Sequence, residues 1–267
     1  MPEHQPSGLV HLRDRVHPHH QRTALTRPAC RAEYIVKFSM KIDHCAKFIG
    51  ELMYVKSLTF CVYGVSNVSK IAIIVGSTRP NRFGPQVADW LLNLARQRGD
   101  AEYDLIDLEA VDLPIFNEPG YPSMGQITVP HAVAWSEQIA QYDGFLIVTP
   151  EYNHSTSPAL LNALTYLYQE WNFKPVAFAS YGGGAGGARA VEHLRGVAGE
   201  LKMYDIREQL VIPSYYLRLN DQFQYQFSDA ELKATNELFD QLVFWSEQLT
   251  ASRTALAERN ATAVAAD

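Results

Sequence analysis

The chain has 267 residues, 47% of them hydrophobic and 19% charged, which suits one large globular domain or two small ones and excludes disorder throughout. The formal net charge of −6 argues against a general nucleic-acid binder, which needs clustered Lys and Arg. No apolar run reaches the roughly 18 residues that a membrane-spanning helix requires, so no membrane span is expected.

Residue usage breaks near Val68. Residues 1–67 hold nine basic and five acidic residues, a net of +4, whereas the rest carries 14 against 24, a net of −10. The three cysteines (Cys30, Cys45, Cys61) and six of the nine histidines lie in the first part. The second part, having no cysteine, can use neither a disulfide nor a thiolate. His17, His19 and His20 invite a metal reading, against which stands a His-rich tail without partner ligands. Glu3, Asp14 and Glu33 speak against an organellar transit peptide, and the opening residues lack the apolar stretch of a secretory signal. Residues 1–67 are therefore read as a disordered or non-native extension with no assigned function, and the chain as cytoplasmic.

From Val68 onward, strand and helix patterns alternate. Lys70–Gly76 is a continuous apolar run that suits a parallel strand buried on both faces. Val87, Trp90, Leu91, Leu94 and Ala95 mark a helical face, closed by Gly99 as a C-cap. Tyr103–Leu108 reads as a second strand. An excursion from Leu113 to Pro130 then leads into a helix over 131–141. Gly144–Thr149 is the third strand. Pro158 opens a helix with Leu160, Leu161, Leu164, Leu167, Tyr168 and Trp171 on one stripe. Pro175–Ser180 is the fourth strand, 188–203 a helix, and Arg207–Ile212 the fifth strand. Ser228 and Glu231 form a capping box at the start of a last helix carrying Leu232, Phe239, Leu242 and Leu249. Residues 68–250 thus form one domain, with 251–267 as a tail. Five strands alternating with helices predict an α/β fold with a doubly wound parallel sheet, in which ligands bind beyond the carboxyl ends of the strands.

The loops after strands one, three and four are the unusual ones. Gly76–Gly84 (GSTRPNRFG) brings hydroxyls, backbone N–H groups, a helix N-terminus and two arginines together, which is an anion site on physical grounds. It is neither a Walker A loop nor Gly-x-Gly-x-x-Gly. Pro150–Ser155 (PEYNHS) is a rigid turn able to present a flat face and N–H groups to a planar heterocycle. Ser180–Gly187 (SYGGGAGG) has enough glycine for the backbone to approach a ligand closely.

In this order, these motifs resemble the NAD(P)H-dependent FMN reductase family, over about Ser69–Val211; residues 168–183 also look like its quinone-reductase members. The resemblance implies a flavodoxin-like sheet of order 2-1-3-4-5 with helices on both faces. It implies that Ser77, Arg79, Asn81 and Arg82 hold the phosphate of FMN. Pro150, Glu151, Tyr152 and Asn153 would line the isoalloxazine ring, and Ser180, Tyr181, Gly182 and Gly183 would close its other edge. Leu161 and Thr165 stand where many members have Lys and Asp, which bears on subunit contacts or substrate preference.

The expected activity is that of an oxidoreductase without a metal or an acid–base triad. Hydride from NADPH or NADH would pass through FMN to a quinone, free flavin or similar small acceptor in a ping-pong cycle. Arg189 and Arg195 are candidates to meet the 2′-phosphate of NADPH. The resemblance also implies subunit contacts, members being commonly dimers with flavin sites at the interface; a homodimer or homotetramer is expected, with Phe116, Tyr121, Trp135, Tyr166 and Trp171 as candidates for an interface. The rival readings are a flavodoxin-type electron carrier that docks redox partners through its acidic surface, and a flavin-free binding module.

Overall fold

The computed structural model describes residues 68–264, so the reading of residues 1–67 lies outside the described residues. The chain alternates β1 (Lys70–Val75), α1 (Gly84–Arg98), β2 (Glu102–Asp107), α2 (Leu108–Val111), α3 (Pro130–Ala140), β3 (Gly144–Pro150), α4 (Pro158–Thr165), β4 (Pro175–Gly182), α5 (Ala188–Glu200), β5 (Tyr204–Pro213) and α6 (Asp229–Val264). The five strands pair in parallel in the order β2-β1-β3-β4-β5. This is the flavodoxin-like order that the resemblance implied.

Alternation along the strands builds two cores, because successive side chains leave a strand on opposite faces. Ile71, Ile73 and Val75 pack with Leu146, Val148 and Ala177 under α1 and α6, whose Leu91, Leu238 and Leu242 are fully buried. Ala72 and Ile74 pack with Phe145, Ile147 and Phe178 under α3, α4 and α5. Apolar runs in β1, β3 and β4 are thus explained by burial on both faces.

The predicted boundaries shift where partners outside the periodic pattern decide them. The stripe Leu160–Trp171 is not one helix: α4 stops at Thr165, and Gln169–Trp171 forms a separate 3₁₀ turn. The carbonyl ends of α4 are taken by indoles instead, with Trp135 Nε1 donating to Ala163 O at 2.9 Å and Trp171 Nε1 to Leu164 O at 3.3 Å. Leu161, one residue round from the buried Leu160, is 43% exposed and leaves the stripe. At the other end, α6 continues past residue 250 to Val264 on helix-favouring Ala-rich sequence. Arg253 anchors this continuation, donating to Asp143 Oδ1 at 2.7 Å and Phe173 O at 2.9 Å. Gly99 caps α1 in the left-handed conformation, and Ser228 and Glu231 form the predicted capping box.

The excursion between α2 and α3 is stapled by one side chain. The buried Glu118 accepts from Gly120 N at 3.2 Å, Thr128 N and Oγ1 at 2.7 Å, and Val129 N at 3.0 Å. Burial would raise its pKa, but these donors outweigh it and hold the carboxyl down at about 2.

Candidate active site

The strand order sets β1, β3 and β4 side by side, so the loops that follow them open at one edge of the sheet. Gly76 N donates to Val148 O at 2.8 Å, and Ser157 Oγ donates to Gly76 O, fixing the start of the first loop against β3 and α4. Ser77 Oγ and Tyr152 OH share a hydrogen bond of 3.0 Å, joining the first loop to the second. Glu151 N donates to Tyr181 O at 3.2 Å, joining the second to the third.

The two arginines of the first loop have different roles. Arg82 is 9% exposed and pairs with Asp107 and Glu109, while the other oxygen of Asp107 caps α2 through Glu109 N at 3.1 Å. Burial disfavours its charge, but hydrogen bonds and charges from Asp107 and Glu109 prevail and hold its pKa above the ordinary value. It ties the loop to β2 rather than facing outward. Arg79 is exposed and makes no ion pair among the described residues. Asn81 is exposed in the left-handed region, φ +56°, and turns the chain toward α1. α1 follows Phe83, an N-cap without a side-chain hydrogen bond; Pro85 has no N–H and Gln86 N donates to Phe83 O at 3.1 Å, so Gly84 N is the first-turn donor left to face an anion.

In the second loop, Asn153 and His154 both have positive φ, +52° and +65°. Tyr152 and Ser155 pair backbone to backbone across them at 2.8 and 2.9 Å, which defines a tight two-residue turn. Two consecutive left-handed non-glycine residues store strain of the kind found at ligand sites. Pro150 is buried at the end of β3, Tyr152 is half-buried, and Asn153 is exposed at the tip.

The third loop is closed at one end and open at the other. Ser180 is fully buried, and its Oγ donates to Gly186 O at 2.9 Å, so it folds the loop back rather than facing a ligand. At Gly187, φ is +87° and a Cβ would lie 2.7 Å from Ser180 Cβ, so only glycine fits. Gly183 and Gly184 are exposed, and a Cβ on either would meet nothing within 4 Å. Gly182 is half-buried against Glu151. Tyr181 is buried, packed edge-on against Phe83 and Tyr215. Burial holds its phenol well above the ordinary pKa, and its hydroxyl lacks a hydrogen-bond partner, directly beneath Gly84 at the start of α1.

The sequence-predicted residues therefore converge, but they separate into surface and support. Arg79, Asn81, Tyr152, Asn153, Gly182 and Gly183 border the open edge. Ser77, Arg82, Pro150, Ser180 and Tyr181 hold it in place from behind. The Tyr215–Phe83 stack, with centroids 4.3 Å apart and planes 9° apart, buttresses the first loop from after β5 and carried no local signal. Arg189 is held by Glu151, and Arg195 by Asp205 and Gln209, so neither candidate for a nucleotide 2′-phosphate is unpaired. Of the candidate interface aromatics, Trp135, Tyr166 and Trp171 are fully buried core, while Phe116 and Tyr121 are exposed.

A cavity of about 580 Å³ opens beside the site, lined by Phe116, Leu161, Thr165, Tyr168, His193 and Val197 among others. His193 Nδ1 lies 3.0 Å from Ser155 Oγ of the second loop. Among the described residues no group of three His, Cys, Asp or Glu side chains is placed to hold a metal, and no helix is long and apolar enough to cross a membrane.

The donor set fits FMN. An uncapped helix N-terminus beside an unpaired Arg79 suits a phosphate monoester, an orphan phenol lies beneath it, and the Gly183–Gly184 stretch leaves room for a planar ring. A solved NAD(P)H:(acceptor) oxidoreductase, FerB from Paracoccus denitrificans, shares the fold with a TM-score of 0.53 at 22% identity, covering 68% of this chain and 98% of that one. An NAD(P)H-dependent FMN reductase of Schizosaccharomyces pombe is 43% identical over 136 residues, 50% of this chain and 68% of the relative. A 2-hydroxy-1,4-benzoquinone reductase of a Burkholderia species is 38% identical over 138 residues, 49% of this chain and 71% of the relative. Residues 69–216, more than half of the chain and containing all three loops, match the family described as NADPH-dependent FMN reductase, and the chain belongs to that family.

Proposed function

We propose that residues 68–250 oxidise NAD(P)H and reduce a quinone, a free flavin or a similar small acceptor, one pair at a time at a shared site. When bound, FMN supplies the hydride chemistry, alternately accepting from the nicotinamide and donating to the acceptor. Arg79 and the α1 N-terminus hold its phosphate. The tight turn at Asn153–His154 offers N–H groups that make no hydrogen bond among the described residues, available to stabilise charge gained on reduction. Gly183 and Gly184 admit the ring face, and the rigid backing of Ser77, Ser180 and Tyr181 keeps the opening from collapsing when it is empty. The observation that carries this reading is the contrast between the two arginines: one is neutralised inside the fold, and one is left unpaired beside an uncapped helix.

The acceptor class is supported by the quinone-reducing relatives and by the apolar cavity adjoining the second loop. The same face carries the exposed Ile115, Phe116, Tyr121, Met124 and Leu161, which supports a homodimer or homotetramer built on it. We assign the activity to the cytoplasm, where the nicotinamide donor is present. Purification with the native cofactor tests the reading. Release of FMN on denaturation, with NAD(P)H oxidation in the presence of a panel of quinones, is the expected result. Release of FAD alone, or a colourless protein that ignores added FMN, would overturn it.

A further inference from the structure

The resemblance assigned Glu151 to the ring surface, but the structure points its side chain elsewhere. Its backbone follows β3 beside Tyr181, while its carboxylate, only 7% exposed, crosses to the N-terminus of α5. One oxygen accepts from Arg189 N at 3.2 Å, and the other from Arg189 Nε at 2.6 Å as well as Nη2. α5 needs this. Its own N-cap is Gly187, which has no side chain to bond the first N–H groups. Glu151 therefore supplies the missing cap from a different loop, with a charge that also suits the helix dipole. Gly182 lies between the partners: a Cβ there would lie 3.3 Å from Gly187 N and 3.4 Å from Glu151 Cβ.

We propose that Glu151 is a positioning residue that locks the Asn153 turn to the glycine loop through Arg189, so that the two edges of the ring site form one rigid unit. The inference rests on the flavin reading only for its consequence in binding; the clamp itself exists without a ligand. Arg189, although half exposed, is then part of the site's frame rather than a nucleotide contact, and the α5 N-terminus is already satisfied, unlike that of α1.

The test compares E151A, E151Q, R189A and the E151A/R189A double variant in the full-length protein. In flavin-free protein, amide exchange of residues 182–188 should quicken about tenfold in E151A, a charge-assisted bond being worth that much even with one partner half exposed. E151Q should recover part of the loss, since it still accepts from Arg189 N. With ligand, E151A should weaken FMN and riboflavin equally and alter the visible circular dichroism of the bound flavin. The double variant should be no worse than E151A, because both changes break one link. R189A, at an exposed side chain, keeps the test open if E151A folds poorly, and should weaken both flavins in parallel. Unchanged exchange in R189A and E151A, or additive losses in the double variant, would overturn the clamp. A wild-type protein that binds neither flavin would sink the functional reading instead, leaving the exchange result to decide the clamp alone.

Discussion

Replacing Arg79 and Arg82 in turn by Ala tests the assignment of the phosphate site, because the same chemical deletion should have opposite consequences. Arg79 is exposed and unpaired among the described residues, so R79A removes nothing from the folded protein. A hydrogen bond to a charged partner contributes about 1.5–3 kcal/mol, and solvent screening places an exposed guanidinium in the lower half. The FMN dissociation constant should rise about 10- to 40-fold, with the melting temperature unchanged. Arg82 is 9% exposed, but its partners are not equally buried, Asp107 being 25% and Glu109 57% exposed. Breaking a fully buried pair costs about 3–5 kcal/mol and an exposed one less than about 1, so R82A should cost about 1–2 kcal/mol. In a domain of this size that lowers the melting temperature by about 2–8 °C. The assay is titration of flavin-free protein with FMN and with riboflavin, alongside thermal unfolding. R79A should weaken FMN and spare riboflavin, which lacks the phosphate. Equal loss of both flavins in R79A, or a phosphate-selective loss in R82A with unchanged stability, would refute the reasoning.

The two ends of the glycine loop should differ: G187A should fail to fold stably, because φ is +87° and its Cβ would strike Ser180 and Tyr181, while G184A should unfold within about 0.5 kcal/mol of wild type, its Cβ facing open space. Acid should act through Glu118, whose folded pKa of about 2 lies below the ordinary 4.5; its contribution is present above pH 4.5 and is lost as pH falls toward 2, so E118Q should flatten that limb of a urea-midpoint profile. Alkali should act through Lys174, buried beside the α3 carbonyls, where burial and then the charge of Arg253 bring the pKa down to about 8. Because the unfolded chain then binds the extra proton, this group's contribution should rise by about 1.4 kcal/mol per pH unit between about 8 and the ordinary 10.5 and level off above that, a rise that K174M should lack. Steady-state lines for NAD(P)H and quinone should be parallel and indifferent to chelators; intersecting lines would argue for a ternary complex. A chain starting at Asn67 should keep flavin binding and turnover, since β1 begins at Lys70; loss of flavin on truncation would place part of the preceding segment in the fold.

The strands were legible because burial on both faces leaves a signature that composition cannot imitate: KIAIIV, GFLIVT and PVAFAS each fill a central position in the sheet. Less legible were the ends of elements, which long-range partners decide. Nothing near Thr165 says that α4 stops there; the reason is two indoles, from α3 and from the following turn, that take its last carbonyls. Likewise the polar alternation of residues 204–213 hides the full length of β5, whose Asp205 is offset by Arg195 on α5. Helix propensity beyond residue 250 was present in the Ala-rich sequence, yet what anchors it is Arg253 reaching Asp143 at the opposite end of β3.

That the three loops meet was legible for a topological reason, and which way each of their residues faces was not. Loops after adjacent parallel strands must meet, so unusual residues at 76–84, 150–155 and 180–187 had to share one edge. A sequence motif, however, names residues without saying which side of the loop each takes. Ser180 and Gly183 belong to the same run of eight residues, but one is buried as a hinge pin and the other opens to solvent. Arg79 and Arg82 are three residues apart, and only the position of Asp107, 25 residues beyond Arg82 at the end of β2, separates them. Glu151 is the sharpest case: its place in the motif suggests a ring contact, and its side chain instead completes a helix that lacks a cap of its own. In each pair the deciding partner is distant in sequence and charged or hydrogen-bonded, so it leaves no periodicity to detect. Half of the motif residues are therefore tied into the fold behind the loops, and substitutions at them should change stability or loop order first.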